Sequence, residues 1–580
     1  MLLKEAKHKK EKLIGLKKEI GWLLGISKHY KKEIALVTLC SVLINVFSLT
    51  TSLCLKYIID AVTGAKENNV LSIAVFAVGL MLSRIIFSAL SSRVRAKISI
   101  KIQNEMQIKV YKNIFDAQWE SLRDYRKGDL INRLNSDVSS VSSGIMNWFP
   151  MVLSYLTQFI YSFILIVSND AVMAIIALLS APFSALLSRF TLVKMRKHNL
   201  KIKELNADMI SFQEDSFHNL QYIKAFGISN IINEKLANKQ KVYKKENLDY
   251  NKVTITMQII MSIVSMIITF ISYAWGIYRL WGGFISYGTM VMFLQLTFSL
   301  SNSFSSMLKI IPYTINLGTS ATRIIAIEEL PIEETLTTDA ERQFINKSFN
   351  TGVIINCKKV TFSYDNKKDV NIIEDCSFST KIGETVAVIG DSGIGKTTLF
   401  RLILGLLQCN SGKIEFENIY KDTIQASPCT RELIAYVPQG NTIIDGTIAE
   451  NLRLIKPTAT DDEIVTVLKL SCAYEFVSKL PQGINSYIGE SGKGFSEGQL
   501  QRISIARALI KDAPILLFDE VTSALDEETE KQLLKNIKTH CKNKTVIFVT
   551  HKINALEISD RILKIEDKKI KEVKYDIVGK

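Results

Sequence analysis

The 580-residue sequence is short of residues that punctuate or staple a chain: 9 prolines, 28 glycines and 8 cysteines. The cysteines stand at 40, 54, 357, 376, 409, 429, 472 and 541, with no Cys-x-x-Cys pair and no cysteine–histidine cluster. That scatter argues against a zinc centre and a disulfide framework, and fits small buried thiols in a reducing compartment. Carboxylates are nearly missing from the long apolar runs, which argues against a proton relay through them. No small-residue cleavage site follows the apolar stretch Ile20–Ile26, so the N-terminus does not read as a signal peptide. Apolar residues are plentiful, at 47%, as is positive charge, net +15. A positive mean hydropathy beside 22% charged residues predicts a membrane half joined to a soluble half.

The lysine-rich start, Met1–Lys32, is expected to form an amphipathic helix along the cytoplasmic surface, with Trp22 at the interface. It is too short for a peptidase domain, so a transporter that also cleaves leader peptides is not expected. Six stretches then approach the roughly 20 residues that cross a bilayer, about 34–57, 70–92, 145–168, 171–192, 254–279 and 285–312. Short loops join the first to the second, the third to the fourth and the fifth to the sixth. The other two connections, about 93–144 and 193–253, are long, polar and poor in proline and glycine, and read as helical extensions. They carry Arg93, Arg95, Lys97, Lys101, Lys109, Lys112, Lys194, Arg196, Lys197, Lys201, Lys203, Lys241, Lys244 and Lys245. Basic residues on one side mark that side as cytoplasmic, which puts both termini there and accounts for much of the charge without nucleic acid. The sixth stretch carries Gln295, Thr297, Ser299, Asn302, Ser303, Ser305 and Ser306 among Phe293, Phe298 and Phe304. Such a face suits an amphipathic guest or close helix packing. Arg84 and Lys309 are the ionisable residues expected to face inward or to snorkel.

Residues 331–350 are polar and read as a linker. From 351 to 580, strand-like and helix-like runs alternate, which predicts an α/β domain with a largely parallel sheet. Within it, Gly390-Asp391-Ser392-Gly393-Ile394-Gly395-Lys396-Thr397 fits the P-loop pattern, between the apolar strand Val386–Ile389 and a helical run opening with Thr398. Its glycines let backbone N–H groups wrap a phosphate; Lys396 is expected to reach the β- and γ-phosphates and the Thr397 hydroxyl to help hold Mg²⁺. A second apolar strand ends in Asp519-Glu520, placing one carboxylate for Mg²⁺ and the next to orient an attacking water. A third strand ends in His551.

With these motifs goes Phe495-Ser496-Glu497-Gly498-Gln499, which resembles the signature of the ATP-binding cassette (ABC) transporters. The resemblance covers essentially the whole soluble part. It extends to Gln439 of the Q-loop, to Ser523-Ala524-Leu525-Asp526 as the D-loop, to Gly489-Glu490-Ser491-Gly492 as the segment that senses the membrane domain, and to Tyr364 where an aromatic ring stacks on adenine. It implies that Glu520, His551 and Gln439 serve hydrolysis, and that Thr397, Gln439 and Asp519 serve Mg²⁺. It also implies that Tyr364, Gly390, Asp391, Ser392, Gly393, Ile394, Gly395, Lys396, Thr397 and Thr398 bind ATP, with Ser496, Gly498, Gln499 and Asp526 contributed across a dimer. The departures are Phe495 for the usual leucine, Glu497 where glycine is frequent and Val521 where alanine is common.

The first 330 residues resemble the six-helix membrane domain of exporter-type ABC proteins, with Gly128–Leu134 and Tyr222–Phe226 flanking coupling helices expected near 117–127 and 210–219. By this resemblance the fold is an α-helical membrane domain plus an α/β P-loop NTPase domain. The function implied is an ATP-hydrolysing half-transporter that pairs with a second copy of itself, or with a related half-transporter, and exports a peptide, lipid or drug by alternating access. An importer of this architecture and an ATP-gated channel are the alternatives. Composition fits a bacterial cytoplasmic membrane.

Overall fold

The structure, a computed structural model, describes residues 19, 21–64, 69–123, 125–178, 180–334, 338–364, 371–440, 442–489 and 494–574. Along 177–193 and at isolated helical positions, Phe304, Ser305 and Lys309 among them, only the backbone is described. The chain divides into two compact units, Met1–Asp116 with Asp124–Leu330, and Ala117–Arg123 with Pro331–Lys580.

The first unit is helical because its apolar runs are long and seldom broken by proline or glycine. Its main helices are α1 (Lys31–Val62), α2 (Val70–Asp116), α3 (Val138–Val167), α4 (Ala171–Leu178), α5 (Ser180–His218), α6 (Ser229–Trp281) and α7 (Tyr287–Glu328). All six expected apolar stretches fall on these helices. Among the described residues four segments are long and apolar enough to cross a membrane: Gly21–Val62, Val70–Asp116, Lys127–Val167 and Ser229–Trp281. The fourth stretch runs over 177–193, and the sixth is diluted by its own polar residues. The two long connections are mostly helical, formed by the far ends of α2, α5 and α6 and the start of α3 with short helices between them, as their low proline and glycine content predicts.

Two apolar cores hold the bundle. One joins Val37, Ile102, Val141, Met146 and Ile324; the other joins Leu49, Ile166, Met173, Phe293 and Leu296. Between them lie polar links: Asn45 Nδ2 donates to the Ser154 carbonyl at 2.7 Å, Thr50 and Tyr161 hydroxyls lie 3.3 Å apart, and Gln158 Nε2 donates to Ser299 Oγ at 3.0 Å. Ahead of α3, Arg133–Asp137 form a π-helical turn. Arg133 Nε bonds Asp129 at 2.8 Å, Arg323 Nε bonds Asp137 at 3.2 Å and Ser320 donates to Asp137 at 2.8 Å, tying this turn to α7. At the other end, Asp60 accepts from Gly288 N and Ser286 Oγ, and Asp170 pairs with Arg279 Nε at 2.9 Å.

Trp22 Nε1 donates to Glu328 at 2.9 Å, and its half-buried ring packs on the first core. Arg84 is exposed, and the Lys309 side chain lies outside the described residues. One expectation changes: the second short helix is Leu220–Ala225 and not near 210–219, because α5 continues to His218 before the chain turns.

The second unit begins with Ala117–Arg123, whose short helix is Trp119–Leu122. Ala117 bridges Ile332 and Gln118 N donates to the Pro331 carbonyl at 2.8 Å. The stretch read as a linker contains a helix, Asp339–Thr351, closed by a Thr338/Glu341 capping box, with Phe344 and Ile345 buried in the domain core. One antiparallel sheet has the order β2-β1-β4-β5, from β1 (Ile354–Phe362), β2 (Ile373–Ser379), β4 (Ser411–Glu417) and β5 (Thr423–Gln425). The other has the order β12-β11-β3-β10-β9-β6, from β3 (Thr385–Ile389), β6 (Ile434–Val437), β9 (Ile515–Asp519), β10 (Thr545–Val549), β11 (Arg561–Glu566) and β12 (Lys569–Val573). β7 (Gly446–Thr447) pairs with β8 (Tyr487–Ile488). In the six-stranded sheet only β12 runs antiparallel to its neighbour. Every residue of β3, β9 and β10 is buried, as continuous apolar runs in a parallel sheet require. Their carboxyl ends lie side by side, which is where such sheets gather ligands.

Candidate functional site

Gly390–Thr397 leave β3 and enter helix α8 (Lys396–Ile403). Gly390 and Gly395 adopt φ of 153° and 115°. A Cβ on Gly390 would stand 2.8 Å from the Ile565 carbonyl, and one on Gly395 2.9 Å from Ile372 Cγ2, so the loop's path needs both glycines. Lys396 Nζ donates to the Gly390 carbonyl at 2.6 Å and the Asp391 carbonyl at 3.1 Å, and lies 2.8 Å from His551 Nε2. Burial pulls its ammonium below the usual lysine range, against Glu520, Asp519 and Asp391, which favour the charged form.

The carboxylate pair follows β9. Thr397 Oγ1 donates to Asp519 Oδ2 at 3.0 Å, with the Tyr436 hydroxyl at 3.5 Å. Burial pushes the Asp519 carboxyl above its usual range, and the Thr397 bond draws it partly back. A hydroxyl and a carboxylate at one point are hard oxygen donors and fit Mg²⁺, which takes few protein ligands and keeps water. Glu520 has a φ of 53°, in the left-handed region, and its N–H donates to the Val549 carbonyl at 3.0 Å. A non-glycine residue held there is strained, a condition that clusters at functional positions. Its Oε2 accepts from Gln439 Nε2 at 2.7 Å and its Oε1 lies 3.9 Å from His551 Nε2. Lys396, Thr397, Gln439, Asp519, Glu520 and His551 thus converge from four segments on one edge.

Tyr364 stands apart from that cluster. Its hydroxyl meets Thr398 Oγ1 at 3.2 Å and Arg401 Nη1 at 3.3 Å, and Phe362 packs edge-on at 4.9 Å. The Arg123 guanidinium lies over its ring, 4.7 Å from the centroid. Arg123 is a site neighbour that sequence reasoning missed, since only the fold brings it to Tyr364.

The signature residues face elsewhere. Ser496 caps α9 (Glu497–Leu509): Gln499 N donates to Ser496 Oγ at 3.3 Å, and Ser496 N donates to Gln499 Oε1 at 2.9 Å. Gly498 has a packing reason as well, because a Cβ there would meet the Ala524 carbonyl at 2.7 Å. Asp526 caps α10 (Glu527–His540) by accepting from Thr529 N at 2.9 Å. Among the described residues none of these four bonds to residues 390–397. Phe495 packs on Phe476 at 6.4 Å, Glu497 is exposed and Val521 is buried, so each departure has a local place. Glu490, Ser491 and Gly492 lie outside the described residues.

This geometry has close relatives. The ABC transporter transmembrane region family matches residues 34–304, and the ABC transporter family matches residues 373–523. An export ATP-binding/permease protein of Rickettsia felis is 29% identical over 558 residues, 94% of this chain and 93% of its own. The alpha-hemolysin translocation ATP-binding protein HlyB of Escherichia coli is 27% identical over 563 residues, 96% of this chain and 77% of its own. A bacterial Atm1-family ABC exporter, solved with ATP bound, shares the fold with a TM-score of 0.80 at 20% identity, covering 95% of this chain and 96% of that one.

Proposed function

Since this chain belongs to the ABC transporters, as an exporter-type half-transporter with one membrane domain and one ATPase cassette, we propose that two copies pair head to tail. Each ATP then sits between residues 390–398 of one copy and Ser496, Gly498, Gln499 and Asp526 of the other. The observation that carries this is the division within one chain: the P-loop edge bonds within itself, while the signature residues close on their own helices.

Lys396 and the loop N–H groups hold the phosphates, and Tyr364 stacks on the adenine. Thr397 and Asp519 would hold Mg²⁺, with Gln439 beside them; the ion supplies positive charge against the β- and γ-phosphates. Glu520 takes a proton from the attacking water, and His551 orients the γ-phosphate end. Binding closes the pair, and hydrolysis releases it. The short helices 119–122 and 220–225 pass that change to the bundle. The basic extensions support a cytoplasmic location for this machinery, at a bacterial plasma membrane. The cargo is an amphipathic compound, a peptide, lipid or drug; the hydroxyls and aromatics of α7 support it, and so does a relative named for translocating a hemolysin.

The test is ATPase activity of the purified chain in lipid nanodiscs, followed by ATP-driven accumulation of panel compounds in inside-out vesicles. Activity without a partner, with inward accumulation in those vesicles, is expected. An inactive chain that gains turnover only with a second half-transporter would overturn the homodimer, and release instead of accumulation would overturn export.

A further inference from the structure

We propose that Arg95, Asn147 and Tyr313 form an anion-binding site at the cytoplasmic mouth of the bundle, taking the carboxylate or phosphate of an acidic amphiphile. The proposal deepens the export reading and rests on the orientation given above.

Arg93, Arg95 and Lys97 share one basic run, yet they part ways in the fold. Arg93 and Lys97 are exposed, whereas Arg95 is half-buried and turned into the bundle. Its Nη1 donates to Asn147 Oδ1 of α3 at 3.1 Å and its Nη2 to Ser91 Oγ at 3.3 Å. Its Nε is enclosed without a partner. Both acceptors are neutral, and among the described residues Arg95 has no ion pair. Arg133, Arg279 and Arg323 of the same unit each meet a carboxylate. A half-buried guanidinium at the membrane face, with its Nε enclosed and no counter-charge, is open to an anionic partner.

The neighbourhood supplies donors. Tyr313 of α7 lies beside Arg95, Asn147 and Ser143. Asn147 and Ser143 also bond the Tyr313 hydroxyl, so the set is already linked, and the guanidinium N–H groups not given to Asn147 and Ser91 remain for a ligand. A donor-rich set round a planar cation matches the oxygens of a carboxylate or phosphate. Arg95 follows Val70 by 25 residues, about 38 Å of helix against the roughly 30 Å of hydrocarbon. That is headgroup depth, so an acid held there would lay its apolar part along the bundle. The acid is borne either by cargo or by an inner-leaflet lipid.

The test is equilibrium binding of radiolabelled dodecyl phosphate to the full chain in phosphatidylcholine nanodiscs, against dodecyltrimethylammonium. In parallel, native mass spectrometry measures phosphatidylglycerol retained from mixed discs. Arg95→Gln should weaken the anionic partner about tenfold or more, as loss of a charge-assisted contact implies, while Arg95→Lys keeps part of it. Asn147→Asp, which supplies an internal counter-charge, should do the same without removing the guanidinium, and covers the case of a misfolded Arg95→Gln. Arg93→Gln should change nothing. Loss of dodecyl phosphate binding identifies a cargo acid, and loss of retained phosphatidylglycerol identifies a lipid headgroup. Equal retention by wild type and both variants, or equal binding of the cationic amphiphile, overturns the site. Binding that persists while vesicle accumulation fails would sink export and leave Arg95 standing.

Discussion

The two edges of the cassette differ in how their residues are satisfied. On the P-loop edge, side chains from separate strands bond one another: Thr397 with Asp519, Gln439 with Glu520, Lys396 near His551. On the signature edge, Ser496, Gln499 and Asp526 are spent as helix caps within a few residues of themselves. The first edge is assembled by the sheet and strained at Glu520. The second is satisfied locally, by caps on α9 and α10. One chain thus carries a cluster assembled by the sheet and, separately, residues that close on their own helices.

The contrast can be broken from either side. The largest effect is expected for Glu520→Gln, which should keep ATP binding and lower phosphate release about 10²–10⁴-fold, the usual worth of a general base; turnover equal to wild type would remove Glu520 from the reaction. Next is Gly498→Ala. Its Cβ, 2.7 Å from the Ala524 carbonyl, should cost about 1–3 kcal/mol of packing and slow turnover about tenfold, while leaving ATP affinity of the separated chain intact. A loss of that affinity would mean the two edges are coupled within one chain. Arg123→Ala should raise the KM for ATP a few-fold, since an exposed cation–π contact is worth about 0.5–1 kcal/mol. Inhibition by inorganic tripolyphosphate, which has no base to stack, should not move; an equal shift in both would assign Arg123 to folding. The smallest effect concerns Asp519→Asn, expected to raise Tm of the nucleotide-free protein at neutral pH. Burial raises the folded-state pKa of Asp519, so its ionised form destabilises above that value and the cost vanishes below about 3.9, the unfolded value. The gain in Tm should therefore fade as pH drops through this window; a gain that persists in acid would point to a different cause.

The P-loop edge was legible because each motif is contiguous and follows a buried strand. Four of the six expected spans fall on described segments long and apolar enough to cross a membrane, as hydropathy alone indicated. Arg95 hid inside a basic run, and only its register against Asn147 separates it from Arg93 and Lys97. Arg84, expected to face inward or to snorkel, is exposed in the single chain. The supposed linker was misread on its polarity. Its apolar contacts with the core are Phe344 and Ile345, yet the Thr338-x-x-Glu341 capping box was a visible helix start. Arg123 and Tyr364 lie too far apart in sequence for any spacing rule to join them.

The π-turn at Arg133–Asp137 carries a consequence for insertions and deletions. Such a turn holds one residue more than the α-helix around it needs. Deleting a single residue there would restore regular winding and leave Asp137 facing nearly as before, within reach of Arg323 and Ser320. Adding one residue has no such slack: it would turn the start of α3 by about 100° and carry the carboxylate away from α7. Length at this point therefore tolerates a loss better than a gain.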